Sequence, residues 1–126
     1  MMQVVEESTA DLLPAAEQML QELAEEARAS WEERAVYYAT LVTNLAGEAF
    51  EAVDETKWSW RDGTEYQDKL DWEMRDFRRI SSELELSRMP AKMRRAARLR
   101  ENRVNQEYHQ AMRVVGRILQ AHEGQP

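Results

Sequence analysis

The sequence predicts an all-α fold: an antiparallel bundle of about four helices, closed by a long basic C-terminal helix. Three observations predict it. Apolar residues recur at steps of three and four over long stretches, as one buried helix face requires. No stretch alternates apolar and polar residues in the manner of a half-buried strand. The four glycines and three prolines fall mostly between the periodic stretches rather than within them. Short connections between such helices favour antiparallel neighbours, so residues 1–126 are read as a single helical domain.

Composition narrows the class. Charged residues make up 33% and hydrophobic residues 43%, too apolar for disorder and too polar for a membrane span. The N-terminus carries Glu6, Glu7 and Asp11 in place of a basic-then-apolar leader, which predicts a cytoplasmic location and no membrane partner. With no cysteine there is no disulfide, thiolate nucleophile or Cys-ligated metal. The net charge of −7 is unevenly spread. Residues 1–55 hold 13 acidic and 2 basic residues, whereas residues 56–126 hold 11 acidic and 15 basic. Such a split marks either two halves packed side by side or a half that faces an acidic partner or a polyanion.

In chain order, residues 1–7 read as a polar lead. A first helix is expected from Ser8 or Thr9 to about Arg28, with Pro14 near its first turn and an apolar face of Leu12, Leu13, Ala16, Met19, Leu20 and Leu23. Ser30, with Glu33 three residues on, predicts the start of a second helix. Its stripe is Trp31, Ala35, Tyr38, Val42, Leu45, Ala49 and Ala52. Beside it runs a second line of Tyr37, Leu41, Asn44, Glu48, Glu51 and Glu55. The segment 56–63 breaks the pattern, and Asp62-Gly63 is a turn signal. Trp58 and Trp60 in this segment either cap the end of the bundle or face a partner. Thr64 and Gln67 form a capping box that predicts a third helix to about Leu86, with Tyr66, Leu70, Glu73, Phe77, Ile80 and Leu84 on its core line. A carboxylate on a core line needs a partner, and Arg100 is the expected one. Pro90 opens the last helix, which Gly124 and Pro126 end. Its apolar stripe is Met93, Ala97, Val104, Tyr108, Ala111, Val115, Ile118 and His122.

Two constellations carry possible chemistry. Glu48 and Glu51 are three apart on the second helix, and Glu73 and Asp76 are three apart on the third. Residues at that spacing share a helix face, so two such pairs on antiparallel neighbours could hold Mg²⁺ through oxygen ligands. The stretches Ala46–Val53 and Lys69–Asp76 resemble the all-α nucleoside triphosphate pyrophosphohydrolases, the MazG-like enzymes and dimeric dUTPases. The signature of that family is ExxE, a spacer and ExxD, and the spacer here is 21 residues. The segment Lys57-Trp58-Ser59-Trp60-Arg61 is similar to the Trp- and Lys-rich segment of the dimeric dUTPases. The resemblance spans residues 41–77. It implies an enzyme cleaving a nucleotide at its polyphosphate, with Glu48, Glu51, Glu73 and Asp76 as Mg²⁺ ligands. Lys57, Lys69 or Arg94 would then meet phosphate oxygens.

The second constellation is the face of the last helix opposite its apolar stripe, which collects Arg88, Lys92, Arg95, Arg98, Arg103, Arg113 and Arg117 with no acidic residue among them. Lined along a rod, such cations can neutralise phosphates or meet carboxylates. Leu99 and Val114 interrupt that side and favour protein contact. His109 and His122 lie on different faces and form no metal motif. No glycine-rich phosphate loop is present.

The expected function is therefore non-catalytic and cofactor-free. The chain reads as a helical binding subunit or regulator of a larger assembly, nucleoprotein assemblies included. Its basic helix would contact a nucleic-acid backbone or an acidic protein surface, with Trp58 and Trp60 as further contacts; the partner is a protein or a second copy. The Mg²⁺-dependent pyrophosphohydrolase is the alternative.

Overall fold

The structure, a computed structural model, describes residues 2–55 and 57–122, with side-chain surroundings for 13–52 and 57–122. It is a helical bundle built from three helices among the described residues, not four. Helix α1 runs Met2–Glu55, α2 runs Trp60–Leu86 and α3 runs Ala91–Ala121. The two expected N-terminal helices are one. Ala27-Arg28-Ala29 supplies strong helix formers and no glycine or proline. A serine cap at residue 30 would gain about 1 kcal/mol, too little to offset breaking a continuous hydrogen-bond ladder. Ser8 and Thr9 accordingly lie inside α1 rather than at its start, and Pro14 is also internal.

Helix α2 begins four residues before the expected Thr64. Ser59 is its N-cap: the Ser59 hydroxyl accepts from the Asp62 amide at 3.2 Å, and the Asp62 carboxylate accepts from the Ser59 amide at 3.0 Å. That exchange holds the Asp62 carboxyl below its ordinary range, the Ser59 amide being the largest cause. Thr64 instead donates to the Arg61 carbonyl within the first turn. Gly63, read as a turn, is buried where α2 meets the end of α3. A Cβ there would sit 2.9 Å from Leu119 Cδ2, so the missing side chain permits the close approach. Between α2 and α3, Arg88 adopts φ 56°, the left-handed conformation that commonly ends a helix and usually falls to glycine. Gly124 and Pro126, the expected end of α3, lie outside the described residues.

The core is the meeting of three stripes. Val42, Leu45 and Ala49 of α1, Leu70, Met74 and Phe77 of α2, and Val104, Ala111 and Val115 of α3 form its main body. A second cluster of Ala35, Ile80, Leu84, Met89 and Ala97 closes the end where α2 turns into α3. Five of six expected core centres, Val42, Leu45, Phe77, Val104 and Val115, are buried, while Ile118 is half-buried near the end of α3. The core line of α2 passes through Met74, 1% exposed, and not through Glu73, which is half-buried beside it. A step of four from Leu70 is as helical as a step of three, and burying the thioether avoids desolvating a carboxylate.

A polar group enters the main core cluster. The Tyr66 hydroxyl donates to the Leu45 carbonyl at 2.6 Å, which fixes α2 against α1. Burial, reinforced by Glu48, raises the Tyr66 phenol well above the ordinary tyrosine range. The neutral phenol is therefore favoured in the folded state. Stability from this group is full below the unfolded tyrosine pKa of about 10 and is lost as pH rises above it. Tyr66→Phe is expected to flatten that alkaline loss in urea melts between about pH 9 and 11, at a cost near neutrality of about 0.5–1.5 kcal/mol for the hydrogen bond. An unchanged alkaline slope would show that Tyr66 is not the group responsible.

Among the described side chains of α1, only those from about Trp31 onward take part in this packing. Helices α2 and α3, of 27 and 31 residues, are about half as long as the 54-residue α1. From Leu13 to Ser30 every side chain of α1 is exposed except the half-buried Arg28. The apolar face expected to pack within the chain is thus laid open: Leu13, Met19, Leu20 and Leu23 are 54–67% exposed. Leu12, expected on the same face, lies outside the described side chains.

Candidate interaction surface

The basic residues of α3 are where the wheel places them. Lys92, Arg95, Arg98, Arg103, Arg113 and Arg117 are all exposed, and Arg88 is exposed in the turn before the helix. Among the described residues only Arg103 of this set has an ion-pair partner, Glu107 at 3.4 Å. The face thus keeps most of its charge unneutralised. Arg100, turned toward α1 and in the lining of the same groove as Leu99 and Arg103, behaves differently. It grips Glu32 of α1 with two nitrogens, at 2.5 and 2.9 Å, and is largely buried. Its expected partner was Glu73; Glu32 takes that place because α1 and α3 run alongside each other at this level. A planar guanidinium on a carboxylate fixes both spacing and register.

The basic face is not purely polar. Arg95, Leu99 and Arg103 are four apart, so they form one line along α3. Leu99 is 65% exposed in the middle of that line. Beside it, between α1 and α3, lies a groove of about 400 Å³. Val36, Ala39, Thr43 and Val104 form part of its lining, and Leu99 and Arg103 stand at its edge. Tyr37, exposed, continues the apolar surface along α1. A line of cations bordering an apolar trough suits an amphipathic helix that is acidic on its polar side. Sequence reasoning found the cations and Leu99 but missed the groove. Its α1 side is lined by residues such as Val36 and Ala39, which the stripe does not include.

The two tryptophans part company. Trp58 is half-buried against the core, its ring 4.6 Å from that of Tyr66, so it caps the bundle end. Trp60 opens α2 and is 39% exposed. Neither lies beside the groove lining named above.

The four carboxylates do not come together. Glu48 and Glu51 are exposed on α1, Asp76 approaches Arg79 at 3.7 Å, and Glu73 is half-buried with no hydrogen bond among the described residues. The pairing of Leu45 with Tyr66 sets the antiparallel register, and it brings Glu48 close to Tyr66. Glu73 lies two turns further along α2, roughly 10 Å away along the axis at 1.5 Å per residue. Among the described residues no group of three or more Asp, Glu or His side chains is placed to hold a metal ion. The residues present therefore do not fit the Mg²⁺ site that the pyrophosphohydrolase resemblance implies. Elsewhere on the surface, the Tyr108 hydroxyl donates to Asp71 at 2.6 Å beneath the Arg78 guanidinium. Burial first, and then that hydrogen bond, raises the Tyr108 phenol above its ordinary range. This is a strut between α2 and α3, not a pocket. No described helix is long and apolar enough to cross a membrane.

No family model, curated protein or solved structure matches the chain, so function is argued from the side chains themselves.

Proposed function

We propose that the protein is a non-catalytic helical assembly subunit whose basic, apolar-centred groove binds an acidic amphipathic helix of a protein partner. The observation that supports this reading is Leu99, 65% exposed between Arg95 and Arg103 at the edge of the groove. A phosphate backbone offers such a leucine nothing to bury against, whereas an amphipathic helix offers both an apolar face for Leu99 and carboxylates for the arginines. Electrostatic attraction would speed encounter, and the apolar seam would set residence time.

The test is a titration by fluorescence anisotropy at nanomolar protein. One probe is a designed acidic helical peptide with leucines at heptad spacing; the others are single-stranded and duplex DNA and RNA. The peptide is expected to bind, and Leu99→Asp to weaken it at least tenfold. Arg95→Ala with Arg98→Ala should weaken it less and flatten its salt dependence. If the peptide fails to bind but nucleic acids do, with the double-arginine variant flattening the salt slope by about one unit per lost contact, the partner is a phosphate backbone. Binding of neither class would return the face to an ordinary solvated surface.

A further inference from the structure

We infer that the helix received by this groove is the N-terminal part of α1 from a second copy of the chain, making a reciprocal dimer. The inference rests on the groove reading above and names its partner. Three observations converge on it.

The first is the pattern of the uncovered helix. Leu13, Ala16, Leu20, Leu23, Ala27 and Ser30 follow one another at steps of three, four, three, four and three. That is the seam of a helix packed along another helix. Leu13, Leu20 and Leu23 on this seam, with Met19 at its side, are left in solvent by the chain's own packing. An apolar stripe running the length of a solvent-exposed helix marks an interaction surface.

The second is charge. Between Leu13 and Ser30 the helix carries Glu17, Glu22, Glu25 and Glu26 against the single base Arg28. Two such segments laid on each other would bring carboxylates to carboxylates. Laid in the groove, the same segment meets Arg103 and Leu99 of its lining, with Arg95 one turn beyond Leu99 on the same line of α3.

The third is geometry. The segment cannot fold back into its own groove, because α1 passes through Ala29 and Ser30 without a break. A second copy has no such restriction. Each chain carries this uncovered helix segment and this groove, so a two-fold arrangement satisfies both at once, as a self-complementary dimer requires. The two α1 helices then run antiparallel, and each three-helix bundle gains a fourth helix from its partner. The segment of 18 residues spans roughly 27 Å at 1.5 Å per residue, about five turns. Two such contacts give an interface of ordinary size for a stable complex, on the order of 1,600 Å².

The experiment is sedimentation equilibrium of the full chain with four variants, each checked by circular dichroism for wild-type helix content. All substituted positions are exposed, so the bundle core is untouched. Wild type is expected to dimerise at micromolar concentration. Leu20→Glu with Leu23→Glu, and separately Leu99→Glu, should each raise the dissociation constant at least tenfold. The decisive arm exchanges charge. Arg95→Glu with Arg103→Glu alters only the groove, and Glu17→Arg with Glu26→Arg alters only the donated helix. Each should dimerise poorly alone, and the mixture should form a heterodimer tighter than either homodimer. A wild-type monomer overturns the inference. So does a dimer that the Leu20/Leu23 variant dissolves and Leu99→Glu leaves intact, since that would be a coil of the two free segments. A monomer whose groove still binds the designed acidic peptide defeats this inference alone and leaves the groove reading standing.

Discussion

Phe77→Ala is expected to lower the unfolding free energy by about 3–5 kcal/mol, the cost of removing a buried aromatic ring and leaving a cavity. Phe77 is 1% exposed and lies where all three helices meet, among Val42, Met74 and Val104 in the main cluster. Its neighbours belong to three separate helices tied by backbone geometry, so they cannot all close on the void. The measurement is a urea midpoint at neutral pH, with the slope checked to be unchanged so that the shift reports stability. For a chain of this length a loss of that size removes a large part of the total. A midpoint moved by less than about 1 kcal/mol would mean that the ring sits in a loose seam between helices and not at the centre of the core.

Ser30→Pro is expected to break α1 at the point where it leaves the bundle, at a cost of about 3 kcal/mol or more. Proline at residue 30 removes an amide from the ladder and drives its ring against the carbonyl four residues earlier. Hydrogen exchange reads this directly: protection of the amides around residues 26–34 should fall by about a hundredfold, since each 1.4 kcal/mol is a factor of ten. The bundle core, which begins at Trp31 and Ala35, should keep its protection. Were Ser30 the first residue of a separate helix, proline there would lie outside any ladder and protection would barely change.

The same residue shows how far the sequence could be read. Ala35, Val42, Leu45, Ala49 and Ala52 of the α1 core were recognisable from their spacing, whereas the equally buried Ala39 and Ala46 lie beside that stripe and were not read, because the buried face is wider than one line of steps. Ser30 followed by Glu33 has the letters of a capping box, yet the chain continues through it. Cap chemistry is a local preference of about a kcal/mol, and no local signal reports that the turns on either side are joined. Conversely, Ser59 and Asp62 do form the box that Thr64 and Gln67 were expected to form, because Trp60 and Arg61 extend the helix backwards by a turn. Glu73 was misplaced for a different reason. Steps of three and four from Leu70 are equally helical, and only the neighbouring helices decide which side chain is covered. The basic face of α3 was legible because exposure follows from being opposite the apolar stripe. The groove was not, since it belongs to two helices whose register is set by contacts such as that of Arg100 with Glu32, 68 residues apart in the chain.

That last contact has a mechanical side. Glu32 stands two residues beyond Ser30, at the collar where α1 emerges from its neighbours, and Arg100 clamps it there. The stretch from Leu13 to Ser30 is consequently a lever held at its base. Over roughly 27 Å of rigid helix, a tilt of about 10° at the clamp displaces the tip by about 5 Å, one helical turn of travel. A small change in how one carboxylate is held at the collar therefore governs where a distant row of leucines is presented.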